Sequence, residues 1–133
     1  LQMKSANTRV RNTEDGLFFA ADHVETLDQM SNVDRSMGDV HSAGNPHLHF
    51  SPQRVLDIAK ALTEKLIQLD TKQSDVYQQQ LSSFVNRWQL ARTQWQSKVA
   101  TLQGMKVIAY HSTFRYLFDF TGIDSVADLE PKP

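Results

Sequence analysis

The amino-acid sequence predicts a mixed α/β fold, and three observations support that prediction. Residues 52–69 and 71–102 repeat apolar side chains every three or four positions, which is the period of an amphipathic helix. Residues 105–129 then read as strand, short helix and strand, the order typical of a parallel sheet. The second helix should be about 45–50 Å long at 1.5 Å per residue. Because that length exceeds the diameter of a small domain, we expect this helix to join two lobes.

The composition is that of a globular protein with little net charge. Of its 133 residues, 40% are hydrophobic and 22% are charged, and the formal net charge is -1. These values favour a folded domain and give no electrostatic reason to expect a nucleic-acid partner. The absence of cysteine excludes disulfides and thiolate zinc sites. The sequence begins at Leu1 rather than Met, which indicates a processed product or an excised piece.

The first long helix is predicted to begin at Pro52. Ser51 is a good N-cap, and proline suits the first helical position because its missing N–H would have no helical partner there. The predicted apolar face contains Val55, Ile58, Ala59, Leu62, Leu66 and Leu69.

The second long helix is predicted to begin at Thr71, behind a capping box in which Asp70 is the cap and Gln73 reaches back to it. Gly104 is a plausible C-cap. The predicted apolar stripe contains Tyr77, Leu81, Phe84, Trp88, Ala91, Trp95, Val99 and Leu102. Of these, we expect Leu81, Phe84, Trp88 and Trp95 to be buried.

A largely buried strand is predicted from Met105 to Tyr110, with His111 at its carboxyl end. Ligands of open α/β folds bind outside the carboxyl ends of strands, so His111 stands where a site residue is expected. The alternative is a partly buried histidine that donates a hydrogen bond to a carbonyl. A short helix capped by Ser112 and stopped by Gly122 should follow, before the second strand.

Histidines concentrate in the turn that precedes the first long helix. His47 and His49 lie between Pro46 and Pro52, and His41 lies just upstream. In an extended chain, His47 and His49 would share a face and could both reach one metal ion. In a turn they would diverge, and only one would coordinate. A solvated loop without metal is the remaining alternative.

With these motifs, the sequence resembles the periplasmic substrate-binding proteins of bacterial zinc and manganese ABC transporters, and the zinc-uptake branch in particular. Residues 45–52 are similar to that family's Asp-Pro-His-x-Trp-x-Asp-Pro segment, and residues 107–112 to its buried strand ending in a ligand histidine. The long helix and the terminal Glu-Pro-Lys-Pro of residues 130–133 occur in the family's order. The resemblance is good from Gly38 onward and loose before it.

The resemblance implies a two-lobed substrate-binding protein with a long helix linking the lobes. Residues 1–70 would form the C-terminal part of the N-lobe with its metal-binding His loop. Residues 71–103 would form the interlobe helix, and residues 104–133 the start of the C-lobe, a strand–helix–strand unit.

The resemblance also implies His47 and His111 as metal ligands, with His49 and His41 as auxiliary candidates. His49 stands where the family often has Trp, and Ser51 replaces the common Asp. The family's early N-lobe His and its late carboxylate or His have no counterpart here. We therefore expect a central fragment whose remaining ligands lie outside this chain.

The function implied by the resemblance is capture of a divalent metal in an interlobe cleft and delivery to an ABC transporter permease, without catalysis. Zinc is favoured because imidazoles suit it, whereas manganese prefers more oxygen ligands. The location would be periplasmic, or extracytoplasmic and membrane-anchored. A fragment with exposed strand edges is also expected to self-associate.

Two other function classes are compatible with parts of the sequence. One is a zinc-dependent metallohydrolase that uses the His-x-His pair at residues 47 and 49, although such sites need further ligands and an open position for water. The other is a helical interaction module built on residues 52–102, which would leave the strand at residues 105–110 unexplained.

Overall fold

The structure is a computed structural model that describes residues 4–8, 10, 15–29 and 43–129. Within residues 43–129, three α-helices and two β-strands follow one another, joined by short 3-10 turns. They are α1 (Pro52–Leu69), α2 (Ser74–Val99), β1 (Lys106–Ala109), α3 (Arg115–Thr121) and β2 (Asp124–Asp128). The predicted α/β class is confirmed. His41 and the Glu-Pro-Lys-Pro segment of residues 130–133 lie outside the described residues.

Helix α1 begins as predicted, because the Ser51 hydroxyl accepts a hydrogen bond from the backbone N–H of Arg54. Its buried side was predicted less well. Leu56 and Thr63 are buried, whereas Leu62 of the predicted face is 38% exposed. The Thr63 hydroxyl donates to the carbonyl of Ala59 at 2.8 Å. A threonine can be buried when its hydroxyl is hydrogen-bonded within its own helix. The buried side of α1 therefore includes Thr63, which the predicted apolar face did not contain.

The long helical segment runs from Thr71 to Leu102, as predicted, with a 3-10 turn at each end of α2. The predicted capping box is wrong, because the Asp70 side chain makes no capping hydrogen bond. The carbonyl of Asp70 instead accepts from the backbone N–H of Gln73 at 3.2 Å. The tight opening turn thus satisfies this N–H through the backbone.

No residue of α2 is fully buried. The expected burial of Leu81, Phe84, Trp88 and Trp95 is therefore wrong in degree, since each is half-buried. The two tryptophan rings pack edge to face, with their centroids 5.3 Å apart. The indole N–H of Trp88 also donates to the carbonyl of Pro52 at 2.7 Å.

Helix α2 extends beyond the segment that contacts α1. Trp88 and Arg92 hydrogen-bond Pro52 and Gln53 at the start of α1, so the two helices run antiparallel. The last turns of α2 continue past that point and border the same apolar cavity as α3. The long helix therefore connects the α1 region to the α3 region.

The two strands of the sheet pair in parallel, with Lys106 opposite Asp124 and Ala109 opposite Asp128. Helix α3 lies between them and is followed by Gly122, whose φ of 72° provides the left-handed C-cap. The prediction of a largely buried first strand is wrong. Ile108 is 60% exposed, and only alternate residues of β1 are half-buried.

Among the described residues, no helix combines the length and the apolar character needed to cross a membrane.

Candidate metal centre

The loop that carries His47 is held against residues 26–27 by backbone contacts. Gly44 has a φ of +93°, and a Cβ at this position would lie 2.4 Å from Thr26 Oγ1 and 2.7 Å from the Leu27 carbonyl oxygen. Only glycine fits both that conformation and that close approach. The next N–H, of Asn45, donates to the Leu27 carbonyl at 2.8 Å. The start of the histidine loop is therefore fixed in place.

Helix α3 is joined to the same loop through Tyr116, which is 0% exposed. Its hydroxyl donates to the carbonyl of Asn45 at 2.6 Å and accepts the N–H of Leu27 at 3.1 Å. One buried phenol thus links three segments that are far apart in the sequence. The guanidinium of Arg54 lies over the face of the Tyr116 ring, 4.7 Å from its centroid.

The side chain of Asn45 spans the space between the two predicted ligand segments. Its Oδ1 lies 3.0 Å from the backbone nitrogen of His47 and 2.8 Å from the Nδ1 atom of the same residue. Its Nδ2 donates to the carbonyl of Ser112 at 2.8 Å. Asn45 is only 5% exposed. A single buried amide therefore connects His47 to the residue that follows His111.

The rings of His47 and His111 lie side by side. Their centroids are 5.4 Å apart and their planes are inclined by 80°. Two imidazoles that share one tetrahedral zinc ion would have centroids about 5 Å apart, given Zn–N bonds of about 2.0–2.1 Å. Both side chains are half-buried. The separation of the two rings is thus close to that expected for two imidazoles on one ion.

The ring of His49 is farther from this pair. Its centroid lies 6.2 Å from that of His47 and 4.3 Å from that of Phe50. Residues Leu48–Phe50 form a 3-10 turn with Leu48 buried, so this segment is not extended. His49 remains exposed beside the apolar cavity near α2. Of the two backbone arrangements considered for His47 and His49, the structure shows the turn and not the extended chain.

Among the described residues, no group of three or more His, Cys, Asp or Glu side chains is arranged to hold a metal ion. The structure thus brings together His47 and His111, places His49 nearby, and does not describe His41.

Sequence reasoning missed two residues that build this centre, Asn45 and Tyr116. A signal existed for Asn45, because asparagine side chains accept the backbone N–H two residues later in turns. Tyr116 gave no comparable signal, since it is one aromatic among several in the segment after β1.

Comparison with solved structures supports the fold. A crystal structure of ZnuA matches with a TM-score of 0.59 and 20% identity, over 71% of this chain and 39% of that chain. The metal-dependent lipoprotein YcdH from Bacillus subtilis matches with a TM-score of 0.57 and 22% identity, over 71% of this chain and 37% of that one. The matched region is thus about two fifths of the length of either structure.

Comparison of the sequence with known proteins gives two results. No curated protein matches it significantly. The family model described as zinc-uptake complex component A, periplasmic, matches residues 2–132. The match extends over nearly the whole sequence, including the first part, where the motifs resemble the family only loosely. The chain belongs to the ZnuA family of periplasmic zinc-uptake components.

Proposed function

We propose that this chain is part of the substrate-binding protein of an ABC uptake system and that its cargo is a zinc ion. The observation that carries the proposal is the pair of imidazoles of His47 and His111, whose ring centroids lie 5.4 Å apart. They come from two separate segments of the chain and meet next to the buried junction of Asn45 and Tyr116. Family membership supports the same reading.

The chemistry of the pair favours zinc over manganese. Imidazole nitrogen is a good ligand for zinc, whereas manganese is held mainly by carboxylate, carbonyl and water oxygens. No carboxylate joins His47 and His111 in a metal-holding group within the described residues. We therefore expect zinc to bind more tightly than manganese.

The two histidines do not complete a zinc site, which uses four ligands or three with a bound water. In both matched structures, more than half of the chain lies outside the matched region. We propose that the further ligands come from corresponding segments of the longer protein, with His41 and His49 as auxiliary candidates in this chain.

The proposed architecture has two lobes linked by the long helix. Residues 1–70 belong to the first lobe, residues 71–103 to the linking helix and residues 104–133 to the second lobe. The contacts of α2 with α1 near its middle and with the α3 region at its end support this division. The metal would bind between the lobes, in the periplasm or at the outer face of the membrane, and pass to a membrane permease.

No catalytic step is part of this proposal. The metallohydrolase alternative needs further ligands around the His-x-His pair and an open position for water. No observation favours it, because His49 is the more distant ring and no three-ligand group occurs in the described residues.

Zinc titration against a competing chelator tests the proposal. His47→Ala and His111→Ala should each weaken zinc binding by at least about 10-fold, which corresponds to 1.4 kcal/mol of binding free energy. His23→Ala is the matched control, because His23 is exposed and stacks on Phe18 with ring centroids 4.6 Å apart. The same titration with manganese measures the selectivity.

The proposal assigns a smaller effect to His49→Ala than to either ligand substitution. Equal affinities for the wild type, His47→Ala and His111→Ala would contradict the assignment of these two ligands. Preferential binding of manganese would contradict zinc as the cargo.

A further inference from the structure

We propose that Asn45 is a positioning residue that sets which nitrogen of His47 faces the metal and ties this ring to the segment that carries His111. The inference rests on the proposed role of His47 as a ligand. The amide itself is not a ligand in this proposal, because its oxygen and nitrogen are both engaged by protein atoms.

Two hydrogen bonds fix the orientation of the Asn45 amide independently of the imidazole. The backbone N–H of His47 points at one end, at 3.0 Å, and can only donate, so that end must be the oxygen. The carbonyl of Ser112 lies 2.8 Å from the other end and can only accept, so that end must be the NH₂ group. Reversing the amide would place donor against donor and acceptor against acceptor.

This orientation determines the tautomer of His47. The amide oxygen lies 2.8 Å from Nδ1 and can only accept a hydrogen bond. The neutral ring must therefore carry its hydrogen on Nδ1, which leaves the lone pair on Nε2. Metal-binding histidines commonly donate their second ring N–H to an acceptor, which fixes the ring and strengthens the ligand nitrogen. Asn45 supplies that acceptor from two residues upstream of the ligand.

The same amide connects the two ligand segments. Its NH₂ group holds the Ser112 carbonyl, directly after His111, while its own backbone carbonyl accepts from the buried hydroxyl of Tyr116. Asparagine suits this role because one amide provides both a donor and an acceptor. Aspartate would retain the acceptor for His47 but would lose the donor to Ser112. Alanine would lose both.

The experiment reads the imidazole nitrogens by ¹⁵N NMR in the metal-free chain labelled at histidine, at about pH 8.5, where an ordinary imidazole is neutral. The wild type and Asn45→Asp should show the hydrogen of His47 on Nδ1. Asn45→Ala should move the ring toward the Nε2–H tautomer that an isolated imidazole prefers. Asn86→Asp is the matched control, because Asn86 is exposed on α2, and it should leave the spectrum unchanged.

Zinc titration of the same proteins supplies the second readout. Asn45→Ala should weaken zinc binding by about 10–100-fold, the usual cost of losing the partner of a ligand histidine. Asn45→Asp should weaken it less, because the carboxylate still accepts from Nδ1.

A wild-type ring with its hydrogen on Nε2, or a His47 tautomer unchanged by Asn45→Ala, would overturn the inference. If Asn45→Ala does not fold, the wild-type and Asn45→Asp spectra still decide it, since both must show Nδ1–H. The NMR readout uses no metal, so it separates this inference from the proposed function. The expected tautomers without zinc binding would refute the metal site and leave the positioning of the ring intact.

Discussion

The junction around Asn45 and the long helix α2 are stabilised in different ways. At the junction, Tyr116 is 0% exposed and Asn45 is 5% exposed, and their polar atoms are paired across three chain segments. Helix α2 carries the longest predicted apolar stripe of the sequence, yet none of its residues is fully buried. The most deeply buried side chain of the described residues, Tyr116, thus lies in a small hydrogen-bonded region, whereas the longest helix has no fully buried residue.

The two regions therefore suit different roles: a long helix can span a distance, and a buried hydrogen-bonded junction can hold side chains in place. A long helix with one packed side can connect distant parts of a protein, because its hydrogen bonds are satisfied internally whatever surrounds it. A pair of ligands has to be held within a fraction of an ångström, which requires buried hydrogen bonds in a tightly packed setting. We infer that the junction fixes the histidine pair, whereas α2 connects the α1 region to the α3 region.

The largest effect on stability is expected from Tyr116→Ala. Removing this buried ring should lower the free energy of unfolding by about 3–5 kcal/mol, because it leaves a cavity and two unpaired backbone groups. Tyr110→Ala is the control, since Tyr110 is 69% exposed, and its effect should stay within about 0.5 kcal/mol. Urea unfolding of both variants measures the difference. Equal losses would mean that the junction is no more important than the surface.

A smaller difference should separate two glycine substitutions. Gly44 and Gly104 both have positive φ, but a Cβ would collide with Thr26 and Leu27 at Gly44 and would meet nothing within 4 Å at Gly104. Gly44→Ala should therefore cost about 1–3 kcal/mol more than Gly104→Ala in unfolding free energy. Chemical denaturation gives these values, and a larger loss for Gly104→Ala would contradict the packing at the start of the loop.

Truncating a residue of the apolar stripe on α2 should lower the free energy of unfolding by an intermediate amount. Trp88 is half-buried and donates to the Pro52 carbonyl, so Trp88→Ala should cost about 2 kcal/mol rather than the 3–5 kcal/mol of a core aromatic. Leu90→Ala on the same helix, at a residue 64% exposed, should cost less than about 0.5 kcal/mol. A loss for Trp88→Ala equal to that for Tyr116→Ala would remove the contrast between helix and junction.

Substitutions in the sheet should have the smallest effect on the free energy of unfolding, but they should change self-association measurably. Ile108 and Val126 are 60% and 55% exposed on a two-stranded parallel sheet, a surface that favours pairing with another copy. Light scattering should show concentration-dependent association that Ile108→Lys and Val126→Lys reduce. Leu90→Lys is the control on α2. Association that is unchanged by the sheet variants would place the contact elsewhere.

Periodicity and capping rules were sufficient for the elements and insufficient for their environment. They predict the start of α1 at Pro52 and the helical limits Thr71 and Leu102, because helix signals are local in sequence, although the capping box proposed before Thr71 does not form. They misjudged Ile108, since an apolar strand sequence does not tell how many neighbouring elements will cover it. They also overestimated the burial of the α2 stripe for the same reason.

The candidate centre could be predicted in part. His47 and His111 were singled out from a proline-bounded turn and from the end of a strand, which are local features. Their approach depends on hydrogen bonds made by Asn45 and Tyr116. The bond between these two residues joins positions 71 residues apart in the sequence. No periodic pattern encodes such a contact, so the sequence indicates the two histidines and not the residues that hold them together.

X-ray absorption spectroscopy of the zinc-loaded longer protein that contains this chain tests the central claim most directly, because it reports the imidazole ligands of the metal. We expect one zinc ion per protein molecule, with at least two imidazoles in its coordination shell. His47→Ala and His111→Ala should each remove one imidazole, and His23→Ala should remove none. A coordination shell that is the same in the wild type, His47→Ala and His111→Ala would show that these histidines do not share the ion, and would contradict the account.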